Sequence, residues 1–246
     1  MQGTEIPVSK TKITLPRRRA DLLSRPRLIN ILTERLDRRL IIVSAPAGYG
    51  KTSLLIDLAH QSELTFCWLT VDELDRDPQR FISYLIGSLS ERYPNFGGQA
   101  RSALRGLTQL DSGLEPVLVT LINEMQSVIA EHVVLVVDDF HLMDGAPAIQ
   151  AFINRFIRLM GENCHVVLAT RTLPALPDLP LLVAHDEVGG LDFSDLAFGT
   201  DEIQALLAQN QALHLSDEEA RRLADATEGW ITGIEFADLT TLREGG

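Results

Sequence analysis

The chain has 246 residues, 45% of them hydrophobic and 23% charged, and two cysteines. These values suit a globular protein with a buried core and exclude disordered, collagen-like and disulfide-framework classes. No apolar run approaches the ~20 residues of a membrane span, and the formal net charge of −12 is uneven, +6 over residues 1–40 and −18 over the other 206.

An acidic body is a poor general binder of nucleic acid or anionic membrane. The basic arm, with Arg17, Arg18, Arg19, Arg25 and Arg27, is the exception. It reads either as a solvated terminus that balances the body or as a source of one or two arginines facing a phosphate or a base. The first residues contain no apolar segment of a secretory signal, and Cys67 and Cys164 sit inside apolar runs. A cytoplasmic location is expected.

In chain order, Leu40–Ser44 reads as a buried strand, followed by a Gly-rich turn and a helix from about Lys51 to His60. Thr65–Thr70 reads as a strand and Pro78–Tyr93 as a helix, with Pro94 to Gly113 as loop. Leu114–Ala130 is an amphipathic helix, and Val133–Val137 is a strand that runs into two aspartates. Ala148–Met160 is helical, His165–Thr170 is a strand, and Leu181–Val188 is expected as a fifth strand. Strands alternating with helices imply an α/β protein with a parallel sheet covered on both faces. From about residue 200 the pattern is helical only. Thr200 precedes Asp201 and Glu202, Ser216 opens a capping box with Glu219, and Asp217–Thr227 and Trp230–Leu242 read as helices. Three parts are expected: a basic arm over 1–39, an α/β core over 40–199 and the start of a helical lid over 200–246. The helical part has barely begun at residue 246, as in a piece of a longer protein.

Ser44-Ala-Pro-Ala-Gly-Tyr-Gly-Lys-Thr-Ser53 carries the chemistry. Gly50-Lys51-Thr52 between a strand and a helix is the end of a P-loop. Glycines let backbone N–H groups turn toward an anion, and the helix N-terminus adds positive potential. Pro46, Ala47, Gly48, Tyr49, Gly50, Lys51, Thr52 and Ser53 are the expected nucleotide-binding residues. Lys51 would reach the terminal phosphates and Thr52 would place its hydroxyl on Mg²⁺. Ala45 stands where the motif has its first glycine.

Asp138, at the tip of a buried strand, is the expected second Mg²⁺ residue. Asp139 would orient or activate the attacking water. His141 is expected to pack or hydrogen-bond near them. Arg171, after the fourth strand, either touches the γ-phosphate or forms a surface salt bridge.

Ala45-Pro-Ala-Gly-Tyr-Gly-Lys-Thr52 resembles the P-loop of the STAND proteins, signal transduction ATPases with numerous domains. It is most similar to the branch of the maltose-regulon activator and its LuxR-type relatives. Arg25-Pro-Arg-Leu28, Trp68-Leu-Thr-Val-Asp72, Asp138-Asp-Phe-His141, Ala169-Thr-Arg171 and Glu228-Gly-Trp-Ile-Thr-Gly233 match that family's stretches in order. Its arginine-rich run after the sensor strand is thin here, where Ala184-His-Asp186 stands.

The resemblance implies an AAA+/STAND-like P-loop NTPase core and a slow regulatory ATPase in a transcriptional regulator. Such a switch rests with ADP, exchanges it for ATP, self-associates and resets by hydrolysis. Arg25 or Arg27 would contact the nucleotide, and the sensor and effector domains would lie outside these residues. Two other readings stay open: a nucleotide-locked scaffold with negligible turnover, and a small-molecule phosphotransferase.

Overall fold

Five apolar runs pair into one sheet: β1 (Leu40–Ser44), β2 (Thr65–Thr70), β3 (Val133–Asp138), β4 (Cys164–Thr170) and β5 (Val188–Leu191). All pairs are parallel and the order is β2-β3-β4-β1-β5. The computed structural model describes residues 6–107 and 113–236.

Side chains alternate across the sheet, as the period of two requires. Leu40, Ile42, Val133, Leu135 and Val137 enter one core, while Ile41, Val43, Val134 and Val136 enter the other. Both faces are apolar because both are covered. The first core also contains side chains of α4 (Pro78–Arg92), α6 (Glu115–Val128) and α7 (Pro147–Leu159). The second contains side chains of α2 (Pro26–Arg35) and α3 (Lys51–Gln61). The short helix α1 (Lys10–Ile13) contributes buried Ile13 to the first core. Lys12 of α1 donates to Asp72 Oδ2 at 3.0 Å and also pairs with the fully buried Asp75.

Two sequence expectations are corrected. Residues 94–113 are not all loop, because α5 (Gly98–Arg105) lies within them. Its N-terminal amides are capped by a distant side chain: Gly97, Gln99 and Ala100 donate to the carboxylate of Glu124 on α6. Residues 181–188 are not the fifth strand. Leu179–Ala184 form helix α8, with Leu179 and Leu182 buried and Leu181 and Val183 exposed, which is helical spacing. Pro180 suits its first turn. The fifth strand lies later, at Val188–Leu191. Its glycines permit the pairing, since a Cβ on Gly190 would sit 2.0 Å from Ile42 O.

After α9 (Phe193–Leu196) the chain is helical: α10 (Thr200–Gln211), α11 (Asp217–Thr227) and α12 (Ile231–Phe236). Phe198, Ile203, Leu206, Leu207, Leu223 and Ile234 form a separate third core. The helix expected over 230–242 begins at Ile231, and its part beyond 236 lies outside the described residues. Among the described residues, no helix is long and apolar enough to cross a membrane.

Candidate functional site

β1 ends at Ser44 and α3 begins at Lys51, so residues 45–50 must reverse the chain within six positions. Gly48 and Gly50 take positive φ, 82° and 76°, where a side chain would be strained. Beyond Gly50 no atom lies within 4 Å of an added Cβ, so that side of the loop is open. Lys51 lies across the loop, with Nζ donating to Ala45 O at 2.7 Å and Pro46 O at 2.9 Å. Burial pulls its pKa down and Arg171 adds to that, while Asp139 and Asp138 oppose it.

The sheet order builds the rest of the site. β4 lies between β1 and β3, so the carboxyl ends of all three meet. Thr52 Oγ1, in the first turn of α3, lies 3.1 and 3.0 Å from the two carboxylate oxygens of Asp138 at the tip of β3. Asp138 is 3% exposed. Burial first and Asp139 second push its pKa up to about 6. This all-oxygen donor set is of the kind that a hard dication such as Mg²⁺ takes. Asp138 and Thr52 would hold it, with Asp139 as a second carboxylate close by.

Asp139 takes the left-handed conformation, φ 61°, which turns its carboxylate out of the strand direction. Both ring nitrogens of His141 are buried without a hydrogen-bond partner, and Nδ1 lies 3.9 Å from Asp139 Oδ1. Burial, then Arg171, pushes the His141 pKa down, so the ring is neutral at pH 7.

A cavity of about 430 Å³ opens over the loop, Thr52 and Asp139, while Asp138 and His141 lie outside its lining. Gly48, Lys51, Thr52, Asp139 and Arg171 line it, and so do the apolar side chains of Leu22, Leu23, Phe198, Leu206 and Ile231. Of the other residues singled out in the sequence, Ala47, Gly50, Ser53 and Arg25 also border the cavity. The Tyr49 side chain is buried in the second core, and Pro46 contributes its carbonyl to Lys51. Arg25 is committed to Glu202 and to the carbonyls of Leu196 and Ala197. Arg27 donates to Asp195 O at 2.9 Å, away from the phosphate loop.

Arg19, named in the sequence only as part of the basic arm, also lines the cavity, as do Leu22, Phe198, Asn210 and Thr232, to which sequence reasoning gave no role. The available signals were the basic arm and the matching stretches Leu196–Thr200 and Glu228–Gly233, which gave no role to any one side chain. The cavity wall is assembled from the arm and the C-terminal helices, more than 150 positions apart along the chain.

No family model matches the chain. Curated relatives do. The HTH-type transcriptional regulator MalT of Yersinia enterocolitica is 30% identical over 232 residues, which is 94% of this chain. MalT of Yersinia pestis matches to the same extent. Over nearly all of its length the chain is similar to part of these MalT regulators. It spans 25% of the length of these MalT relatives. Among solved structures, a Walker-type ATPase of Pyrococcus abyssi superposes with a TM-score of 0.57 at 12% identity, covering 93% of this chain and 73% of that one. That likeness concerns the fold alone. The phosphate loop, the sheet order and this superposition make the fold that of a P-loop ATPase.

Proposed function

We propose that this chain is the ATP/ADP-binding switch module of a STAND-type regulator. It would rest with ADP, take up ATP and hydrolyse it slowly. The observation that carries this reading is the single cavity joining Lys51, Thr52, Asp139 and Arg171, with Asp138 behind Thr52. The glycine turn and the α3 N-terminus would surround the phosphates. Lys51 would leave the carbonyls of Ala45 and Pro46 for a phosphate oxygen. Leu22, Leu23 and Phe198 in the cavity wall have the character to take a base.

Mg²⁺, when bound, supplies charge neutralisation at the phosphates. Asp139 would orient a water for attack, with His141 beside it as a neutral polar group. Arg171, at the tip of the intervening strand, would meet the γ-phosphate and distinguish ATP from ADP. Residues 200–246 would act as a lid, and the arm with Arg25 would tie that lid to the core. Self-association in the ATP state, a sensor domain and an effector domain would belong to the longer protein.

The test is calorimetry with MgADP and MgATP, together with phosphate release. Lys51→Ala should remove binding of both nucleotides. Asp139→Asn should keep ATP binding and slow release by roughly a hundredfold or more. Absence of binding heat in the unaltered protein overturns the reading. Turnover at the normal rate in the Asp139 variant overturns the role of that residue.

A further inference from the structure

Trp230 is one of two tryptophans in the chain. Trp68 is buried in β2, where its Nε1–H donates to Thr70 Oγ1 at 2.9 Å. Trp230 is 40% exposed, yet its indole is fixed. Its Nε1–H donates to Ala47 O at 2.9 Å, across 183 positions of chain. Ala47 and Gly48 form the middle of the phosphate loop.

Three glycines admit the ring and its turn. A Cβ on Gly48 would lie 2.2 Å from Trp230 Nε1 and 2.5 Å from Thr232 Oγ1. A Cβ on Gly233 would lie 2.7 Å from the other edge of the same indole. The indole therefore lies between the phosphate loop and its own helix α12, against backbone on both sides. Gly229, one position earlier, accepts from Phe198 N at 3.0 Å, and a Cβ there would lie 2.5 Å from that nitrogen. One turn, residues 228–232, thus rests on the 197–198 junction and on the phosphate loop together.

The peptide group explains the consequence. It is planar and trans, so the Ala47 carbonyl and the Gly48 N–H point in opposite directions. A donor that holds the carbonyl also fixes the N–H. We propose that Trp230 is a positioning residue of the phosphate loop. It sets the Ala47–Gly48 peptide from the lid side, and Thr232 packs over the same glycine. Lid position and loop conformation are then one coupled equilibrium. Loading the loop with a nucleoside diphosphate or triphosphate changes the surroundings of Trp230, and displacing Trp230 weakens that loading. This inference rests on the nucleotide-binding reading only for its loading half.

The conservative variant is Trp230→Phe, which keeps an apolar ring and removes the N–H. The first measurement uses no nucleotide. Amide hydrogen exchange over residues 45–51 and 231–236 should rise roughly fivefold in the variant, the factor that about 1 kcal/mol of hydrogen bond represents. Unchanged exchange in both segments overturns the coupling. The second measurement adds MgADP. Tryptophan emission should shift in the unaltered protein and stay constant in the variant, where only Trp68 emits. MgADP affinity should fall by a similar factor with the melting temperature of the ligand-free protein kept. A variant that binds MgADP as tightly as the unaltered protein, or that retains the emission shift, overturns the positioning role. Absence of MgADP binding heat in both proteins would overturn the nucleotide reading, while the exchange measurement would still decide the latch.

Discussion

Arg25 grips Glu202 through two bonds, Nε to Oε1 at 2.9 Å and Nη2 to Oε2 at 2.7 Å. The same guanidinium donates to Leu196 O at 2.7 Å and Ala197 O at 3.0 Å, and its plane lies 4.1 Å from the centre of the Phe198 ring. A residue before the first strand thus holds the first turn of α10 and the junction that leads to it. The planar fork suits this position, and a lysine cannot satisfy the same set of acceptors.

Removing that fork should loosen the C-terminal helices before the sheet. Arg25→Ala leaves two carbonyls without this donor and removes the cation from a partly buried carboxylate that keeps only the Gly199 N–H. A loss of about 2–3 kcal/mol is expected, below the ~3–5 kcal/mol of a fully buried pair because Glu202 keeps some contact with water. Denaturant unfolding followed by hydrogen exchange would place the loss in α10 to α12. A change under about 0.5 kcal/mol, or one spread evenly over the sheet, would contradict the assignment.

What the sequence showed followed from local chemistry. The run Val133–Val137 is β-branched and unbroken, so its strand was legible, and so was the carboxylate at its tip. The phosphate loop was legible because glycine, lysine and threonine act at fixed spacing between a strand and a helix. Three features were not, each because a distant partner makes them. Gly97-Gly98 reads as loop until Glu124 caps it. The fifth strand was expected at 181–188, because Val188-Gly-Gly-Leu191 has no strand pattern of its own and pairs where Ile42 needs a neighbour without a Cβ. The left-handed Asp139 and the indole of Trp230 on Ala47 belong to packing, which no periodicity records.

The glycine of β5 gives a sharp test of the fold. A Cβ on Gly190 would meet the backbone of Ile42, which has no flexible end to give way. Gly190→Ala should therefore separate β5 from β1 and cost upwards of about 3 kcal/mol. Gly199→Ala is the control, since no atom lies within 4 Å of its Cβ position. It should cost under about 1 kcal/mol, the difference between glycine and alanine at a helix cap. Equal costs for the two variants, read from urea midpoints, would sink the argument.

Thr52 bears on the metal. Its hydroxyl lies about 3 Å from both oxygens of Asp138, so hydroxyl and carboxylate form one donor pair. Thr52→Ala should leave metal-free ADP binding intact and weaken the Mg²⁺-dependent increment by at least roughly tenfold. Thr52→Ser should restore it. Titrations with MgADP and with ADP plus chelator separate the two contributions, and an unchanged increment in the alanine variant would remove Thr52 from the metal site.

At the opposite end of the sheet, His165 and His132 set a pH response. His165 Nδ1 lies 2.9 Å from Arg38 O, and its Nε2 lies 2.9 Å from His132 Nδ1, with the rings stacked at 5.2 Å. A carbonyl only accepts, so Nδ1 carries the hydrogen and Nε2 must accept from His132. A proton on Nε2 would set N–H against N–H. Burial pulls the His165 pKa below its usual 6.5; the bond to Arg38 and the charge of Asp37 oppose this, while His132 and Arg39 add to it. The unfolded chain then binds a proton near pH 6.5 that the folded chain refuses. Stability from this pair is present above that pH and lost as the pH falls. Asp138 acts in the opposite sense. Its folded pKa of about 6 exceeds its usual 3.8, so acidification through that range favours the fold. The histidine contribution therefore shows only as a difference. His165→Asn keeps a donor for Arg38 O and cannot be charged. Between pH 7.5 and 5.5 the unaltered protein should lose more stability than the variant, and equal losses would show that the pair does not govern the response.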